Sequence, residues 1–403
     1  MEIYHWRIGN QMADKADITP KVLKWARESA RISEEIAATK VSVSIEKLKE
    51  WESGESHPTI RQAQLLAKAY KRPFALLFLS DIPTDFQPLR DFRRKGSKPL
   101  GTGSIFIIRE IQQKQSWISE INKDDNAAKV PFVGRFTVND SPTIVANDIL
   151  RSFDINPPNY VSSSPIKEWI EKSESNGIFI SRTSFIHTRL LLDSDEIQGF
   201  AIADPYAPFV FVNSDDWDAP QLFTLVHEIA HLWIAATGIS NEIEHGTKDN
   251  QDYQPIELFC NEVAGNAVMP SDVINSLPFN TFDSVDKLFP VAKRFGVSTF
   301  ALLVRALKLR RVSLEKYQQL KWAAEREYQA FLKREAEKKE KQKSKENKGG
   351  PNYYLLQVNR NSRLFTQTVL DAFRGGMIEP TQASSLLNVQ VTRFSKLEEQ
   401  LYR

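Results

Sequence analysis

QLFTLVHEIAHLWIAA, residues 221–236, sets His227, Glu228 and His231 among Leu, Phe, Val, Ile and Trp, in a chain that has six histidines in all. On an α-helix, residues four apart share a face, so His227 and His231 can direct both imidazoles at one point. This is the H-E-x-x-H arrangement, in which two histidines bind zinc and the glutamate between them acts on a water held by the ion. Glu228, one residue on from His227, is expected beside the metal rather than among its ligands, as the general base. Phe223, Leu225, Val226, Ile229, Leu232 and Trp233 predict that the helix is held in a core, where a low dielectric strengthens metal–ligand electrostatics. So short a motif also arises by chance on surface helices. Here the setting argues against accident, because a buried carboxylate and two buried imidazoles need partners.

A third ligand is therefore expected downstream. ELFCNEVAGNAVMP, residues 257–270, predicts a helix on which Glu257, Cys260, Asn261 and Ala264 share a face while Glu262 points elsewhere. Glu257 is the expected third ligand, which leaves the fourth position open. His245, in the polar loop SNEIEHGTKD, is the competing candidate.

The composition frames this site. A chain of 403 residues predicts two or three domains, and 41% hydrophobic with 26% charged residues is ordinary for a globular protein. A net charge of +2 gives no global argument for nucleic acid, although a local basic face remains open. The single cysteine, Cys260, rules out an intramolecular disulfide and a cysteine-based zinc cluster. The first twenty residues contain no apolar signal core, and no run of about 18 apolar residues occurs, so no membrane span and a cytoplasmic location are expected.

Along the chain the expectation is multidomain. Residues 15–80 predict an all-α domain of four short helices, opened by Thr19-Pro20, Ser33, Ser44 and Thr59. Residues 81–139 read as a proline-containing basic linker and a helical connector. Residues 140–310 predict an α+β domain, with strands at GFAIA and FVFVN and a helical end turning at Gly296. Residues 311–350 read as a long charged helix or linker, solvated rather than nucleic-acid-binding, and residues 351–403 as a helical carboxy-terminal module.

Ala38, Val43, Leu48 and Trp51 predict steep contacts between helices, as in a helix-turn-helix. WESGESHPTI resembles the W-E-x-G-x-x-x-P signature of Cro/C1-type (XRE) repressor domains through Trp51, Glu52, Gly54 and Pro58. The resemblance implies a DNA-reading third helix, with Ser44, Lys47 and Lys49 as the candidate contacts. Glu46 and Glu50 beside those lysines count against a strong phosphate interaction, and Ser42 stands where the family usually has its turn glycine. Protein docking or self-association is the alternative use of this domain.

FTLVHEIAHL followed by E-x-x-C-N-x-x-A-x-x-x-x-M-P resembles the ImmA/IrrE family of metallo-endopeptidases over about residues 140–310. The order, with a Cro/C1-like domain ahead and a tail behind, also fits a longer architecture of that family. Val263 and Gly265 replace the more usual Phe and Ala. The resemblance implies a zincin-like fold, Zn2+ held by His227, His231 and Glu257, and Glu228 as catalytic base. It also implies that FVFVN, ending at Asn213, borders the cleft and can pair with an extended substrate. The expected function is a zinc endopeptidase that cleaves a repressor-like partner, with DNA or a second copy of the chain as further partners. The competing expectation is a DNA-binding regulator whose zinc domain senses a ligand without significant proteolysis.

Overall fold

The computed structural model describes residues 14–83, 89–91, 97–187, 190–240, 254–326, 329 and 352–402. His245, with most of its loop, and residues 330–350 of the charged stretch lie outside the described residues. By their contacts the residues form two compact units, one within residues 1–87 plus 100–109, the other 88–99 plus 110–403.

The first unit is a helix-turn-helix. α1 (Pro20–Ser29) starts with proline in its first turn, where the missing N–H costs nothing, and buries Val22, Leu23 and Ala26. α2 (Glu34–Lys40), α3 (Ile45–Ser53) and α4 (Ile60–Ala69) are capped by Ser33, Ser44 and Thr59, whose hydroxyls accept from the backbone N–H three residues on. Thr59 and Gln62 close a reciprocal capping box. Ala38, Leu48 and Trp51 are buried as expected, as is Val41, whereas Val43 is only half-buried. The turn between α2 and α3 places Ser42 at φ 55°, the left-handed conformation that glycine adopts without strain. Arg27 and Glu52 join α1 to α3 by two bonds, Nε to Oε1 at 2.7 Å and a terminal nitrogen to Oε2 at 2.8 Å. That pair explains why an acidic residue follows Trp51 in an otherwise apolar contact.

In the second unit, β1 (Arg90–Asp91) lies within what reads in sequence as linker. The chain continues through α5 (Thr102–Asp124), which belongs to this unit from Glu110 on, α6 (Pro142–Phe153), α7 (Pro165–Ser175), β2 (Phe179–Thr183) and a small hairpin of β3 (Phe185–His187) and β4 (Leu190–Leu191). Then come β5 (Gly199–Ile202), β6 (Phe209–Asn213), α8 (Asp218–Trp233), β7 (Gly238–Ser240) and α9 (Pro255–Val268). After them follow α10 (Ser271–Ser276), α11 (Val285–Phe295), α12 (Thr299–Lys308), α13 (Tyr353–Asn361), α14 (Arg363–Arg374), α15 (Pro380–Leu387) and α16 (Phe394–Leu401). None of the described helices is long and apolar enough to cross a membrane.

The main sheet runs β1-β7-β5-β6-β2. β6 is antiparallel to β5 and parallel to β2, so both of its edges are occupied. Every residue of β5 and β6 is buried because both faces are covered. On one face Ile180, Ala201, Val210 and Val212 pack with Leu222, Leu225, Val226 and Ile229 of α8. On the other, Phe179 stacks on Phe209 at 5.5 Å, and Phe365 of α14 meets both rings edge-on. The carboxy-terminal helices thus form one wall of this unit, and α13 and α14 pack directly on β2. Glu174 of α7 accepts bonds from the Ser362 hydroxyl (2.6 Å) and the Arg363 N–H (2.9 Å), capping α14.

Candidate metal centre

α8 is buried on every side from Gln221 to Trp233, which is why its apolar residues do not follow a single stripe. α9 packs against it. His227 and His231, one turn apart on α8, and Glu257, in the first turn of α9, meet between the two helices. The two Nε2 atoms are 3.1 Å apart; His227 Nε2 is 3.2 Å from Glu257 Oε2 and His231 Nε2 is 3.1 Å from Glu257 Oε1. These three residues are a group able to hold a metal ion.

The donor set fits zinc in type and spacing. Two imidazole nitrogens and a carboxylate oxygen are ordinary zinc ligands, and atoms about 2.0–2.1 Å from a tetrahedral ion stand about 3.3 Å from one another. The separations found are close to that figure. Asn261 Oδ1 lies 3.0 Å from His227 Nδ1, so the imidazole proton is placed on Nδ1 and the Nε2 lone pair faces the group. Burial by itself would raise the Glu257 carboxyl, but the two imidazoles, through their charge when protonated and their hydrogen bonds, outweigh it and hold it at about 2. Burial lowers His231, against the Glu257 hydrogen bond, and so favours the neutral ring that can ligate.

Glu228 is wholly buried and stands outside the ligand group. Cys260, on the same face of α9 as Glu257, is also buried. Burial pushes its thiol up, and the carboxylates of Glu257 and Glu228 add to the shift, so it is a neutral packing residue.

The expected substrate contact is corrected. FVFVN is an interior strand with no free edge for a peptide, and Asn213 is spent on its own fold. Its Nδ2 donates to the Ile197 carbonyl at 3.1 Å, and its Oδ1 accepts from the Asp215 N–H at 3.1 Å. The alternation of Phe and Val hid this, since such a strand can border a cleft or fill the centre of a sheet. Asn261 is the functional residue that sequence reasoning placed on the right face without a role. Its spacing of four from Glu257 was the available signal.

The DNA-contact candidates all lie in the first unit. Ser44 is exposed, but its hydroxyl caps α3. Lys47 is paired with Glu50, and Lys49 with Glu34 at 3.1 Å.

Residues 23–77 match the family described as helix-turn-helix, and residues 174–307 match the peptidase family described as IrrE N-terminal-like domain. The two matches come in that order along the chain. No curated protein matches it.

Proposed function

We propose, on the premise that this chain joins a helix-turn-helix domain to an IrrE-like, metallopeptidase-type domain, that it is a zinc endopeptidase that controls gene expression by cleaving a repressor-like protein. The observation that carries this reading is Glu228. A module that only binds metal needs three ligands and an open position, and gains nothing from a further wholly buried carboxylate, which is costly to desolvate.

Zinc held by His227, His231 and Glu257 would polarise the scissile carbonyl and bring the pKa of a water to about 7. Glu228 accepts the proton of the attacking water and delivers it to the leaving amine. Asn261 keeps His227 in one tautomer. The surrounding apolar residues exclude bulk solvent and keep the local dielectric low. The helix-turn-helix domain directs the protein to DNA or to the DNA-bound target.

Co-expression with candidate repressor-like proteins tests the reading. A cleaved fragment is expected with the wild-type chain and not with Glu228→Gln. Full biological output from Glu228→Gln, with its metal content intact, would put a non-proteolytic regulator in place of the peptidase.

A further inference from the structure

Gly199, the first residue of β5, pairs with Val212 of β6 on one side and Ser240 of β7 on the other. It is buried where the sheet meets the metal-binding helix. A Cβ at this position would stand 2.8 Å from Glu228 Oε1, 3.0 Å from Glu228 Cγ and 2.9 Å from Thr224 Cγ2. The Glu228 side chain therefore lies against the backbone of β5, in space that only a residue without a side chain leaves open. Gly199 is not in a left-handed conformation, so close approach and not backbone freedom accounts for the glycine.

The strand cannot easily retreat from the carboxylate. Asn213 holds the two preceding residues: its Nδ2 donates to the Ile197 carbonyl at 3.1 Å, and its backbone N–H to the Gln198 carbonyl at 2.8 Å. On the far side of Glu228 is α8 itself, fixed by its packing on β5 and β6.

We infer that Gly199 is a positioning residue for Glu228: its missing side chain sets where the carboxylate rests beside His227, His231 and Glu257, and Asn213 anchors the backbone that defines this limit. The inference rests on the reading of Glu228 as the base, and deepens it. A one-carbon change at Gly199 moves the carboxylate while leaving all three ligands in place.

The test uses Co(II) alone as a spectroscopic probe in the full chain. Gly199→Ala is expected to bind about one Co(II) per chain and to show a visible absorption spectrum different from that of the wild type. In a Glu228→Ala background the same substitution should leave the spectrum unchanged, because the displaced group is gone. A Gly199→Ala spectrum that overlays the wild type, or an equal change in both backgrounds, overturns the inference. Should Gly199→Ala fail to fold, Gly199→Ala with Thr224→Ser removes the second contact and is read in the same way. Thermal unfolding of the metal-free proteins gives an independent cycle. Gly199→Ala should lower Tm in the Glu228 protein and clearly less in Glu228→Ala, whereas equal losses would overturn the inference. A wild-type chain that binds no Co(II) defeats the peptidase reading, and the thermal cycle still decides the role of Gly199.

Discussion

The Nδ1 atom of His227 and the Oδ1 atom of Asn261, on two different helices and 34 residues apart in the chain, are 3.0 Å apart. That bond fixes which imidazole nitrogen carries the proton. Asn261→Ala should weaken zinc binding by about 10–100-fold, the usual effect of losing such a partner. Chelator competition measures it, and unchanged affinity would remove Asn261 from the site.

The ligands themselves should have a larger effect. His227→Ala and His231→Ala are expected to lose the metal, so the purified variants should contain far less than one zinc per chain. On the proposed reading the metal binds only the folded state, so chelation should also lower the wild-type Tm and leave that of these variants nearly unchanged. Full metal retention in both would refute the centre.

Glu228→Gln separates binding from chemistry. It keeps the side chain's size and all three ligands, so zinc content should equal that of the wild type. Cleavage of the true substrate should fall by ~10² to 10⁴, the usual contribution of a general base. The variant should hold substrate long enough for co-purification.

A buried charge cluster predicts the acid response. Glu110 accepts from Lys114 at 2.7 Å and from Arg360 at 2.5 Å, joining α5 to α13. Burial would raise the Glu110 carboxyl, but the two cations hold it at about 2, below its usual 4.5. A depressed carboxyl contributes stability that is present above pH 4.5 and lost as pH falls toward 2. From that shift the contribution is at most about 3 kcal/mol, and burial of Lys114, which lowers its own pKa, offsets part of it. Glu110→Gln should therefore destabilise the protein strongly at pH 7 and flatten the decline below pH 4.5. Denaturant unfolding at several pH values checks both. A parallel decline in the variant would assign the acid sensitivity elsewhere.

The lysines of α3 yield a different kind of prediction. Lys47 and Lys49 are held by Glu50 and Glu34, so little positive charge is free for phosphates. Glu34→Gln and Glu50→Gln should each strengthen DNA binding by the full chain, and steepen its salt dependence by up to about 0.9 per lysine released. Unaltered slopes would show that DNA approaches by another face.

That His227, His231 and Glu257 can face one another was legible in sequence because it rests on local rules, whereas their roles as ligands and that of Glu228 as base are proposed. Four-residue spacing on a helix puts His227 and His231 on one face in any fold, and the same geometry selects Glu257 over Glu262. Helix caps at Ser33, Ser44 and Thr59 are equally local, since each hydroxyl bonds to a backbone N–H three residues away. The left-handed turn at Ser42 was visible only as a departure from the family pattern.

What tertiary structure alone decided depends on which segments meet. FVFVN has the same alternation whether it lies at an edge or in the centre, and only its pairing with β5 and β2 closed both edges and turned Asn213 from a substrate contact into an anchor. The same holds for the stretch containing Arg90, which composition marks as linker but which adds a strand to β7. The carboxy-terminal helices read as a separate module until Phe365 is seen against Phe179 and Phe209. Gly199 is one of 16 glycines and has no local signature at all. Its meaning is that a Cβ there would stand 2.8 Å from the oxygen of a carboxylate 29 residues away, and no periodicity encodes an approach between surfaces that come together only when the core packs.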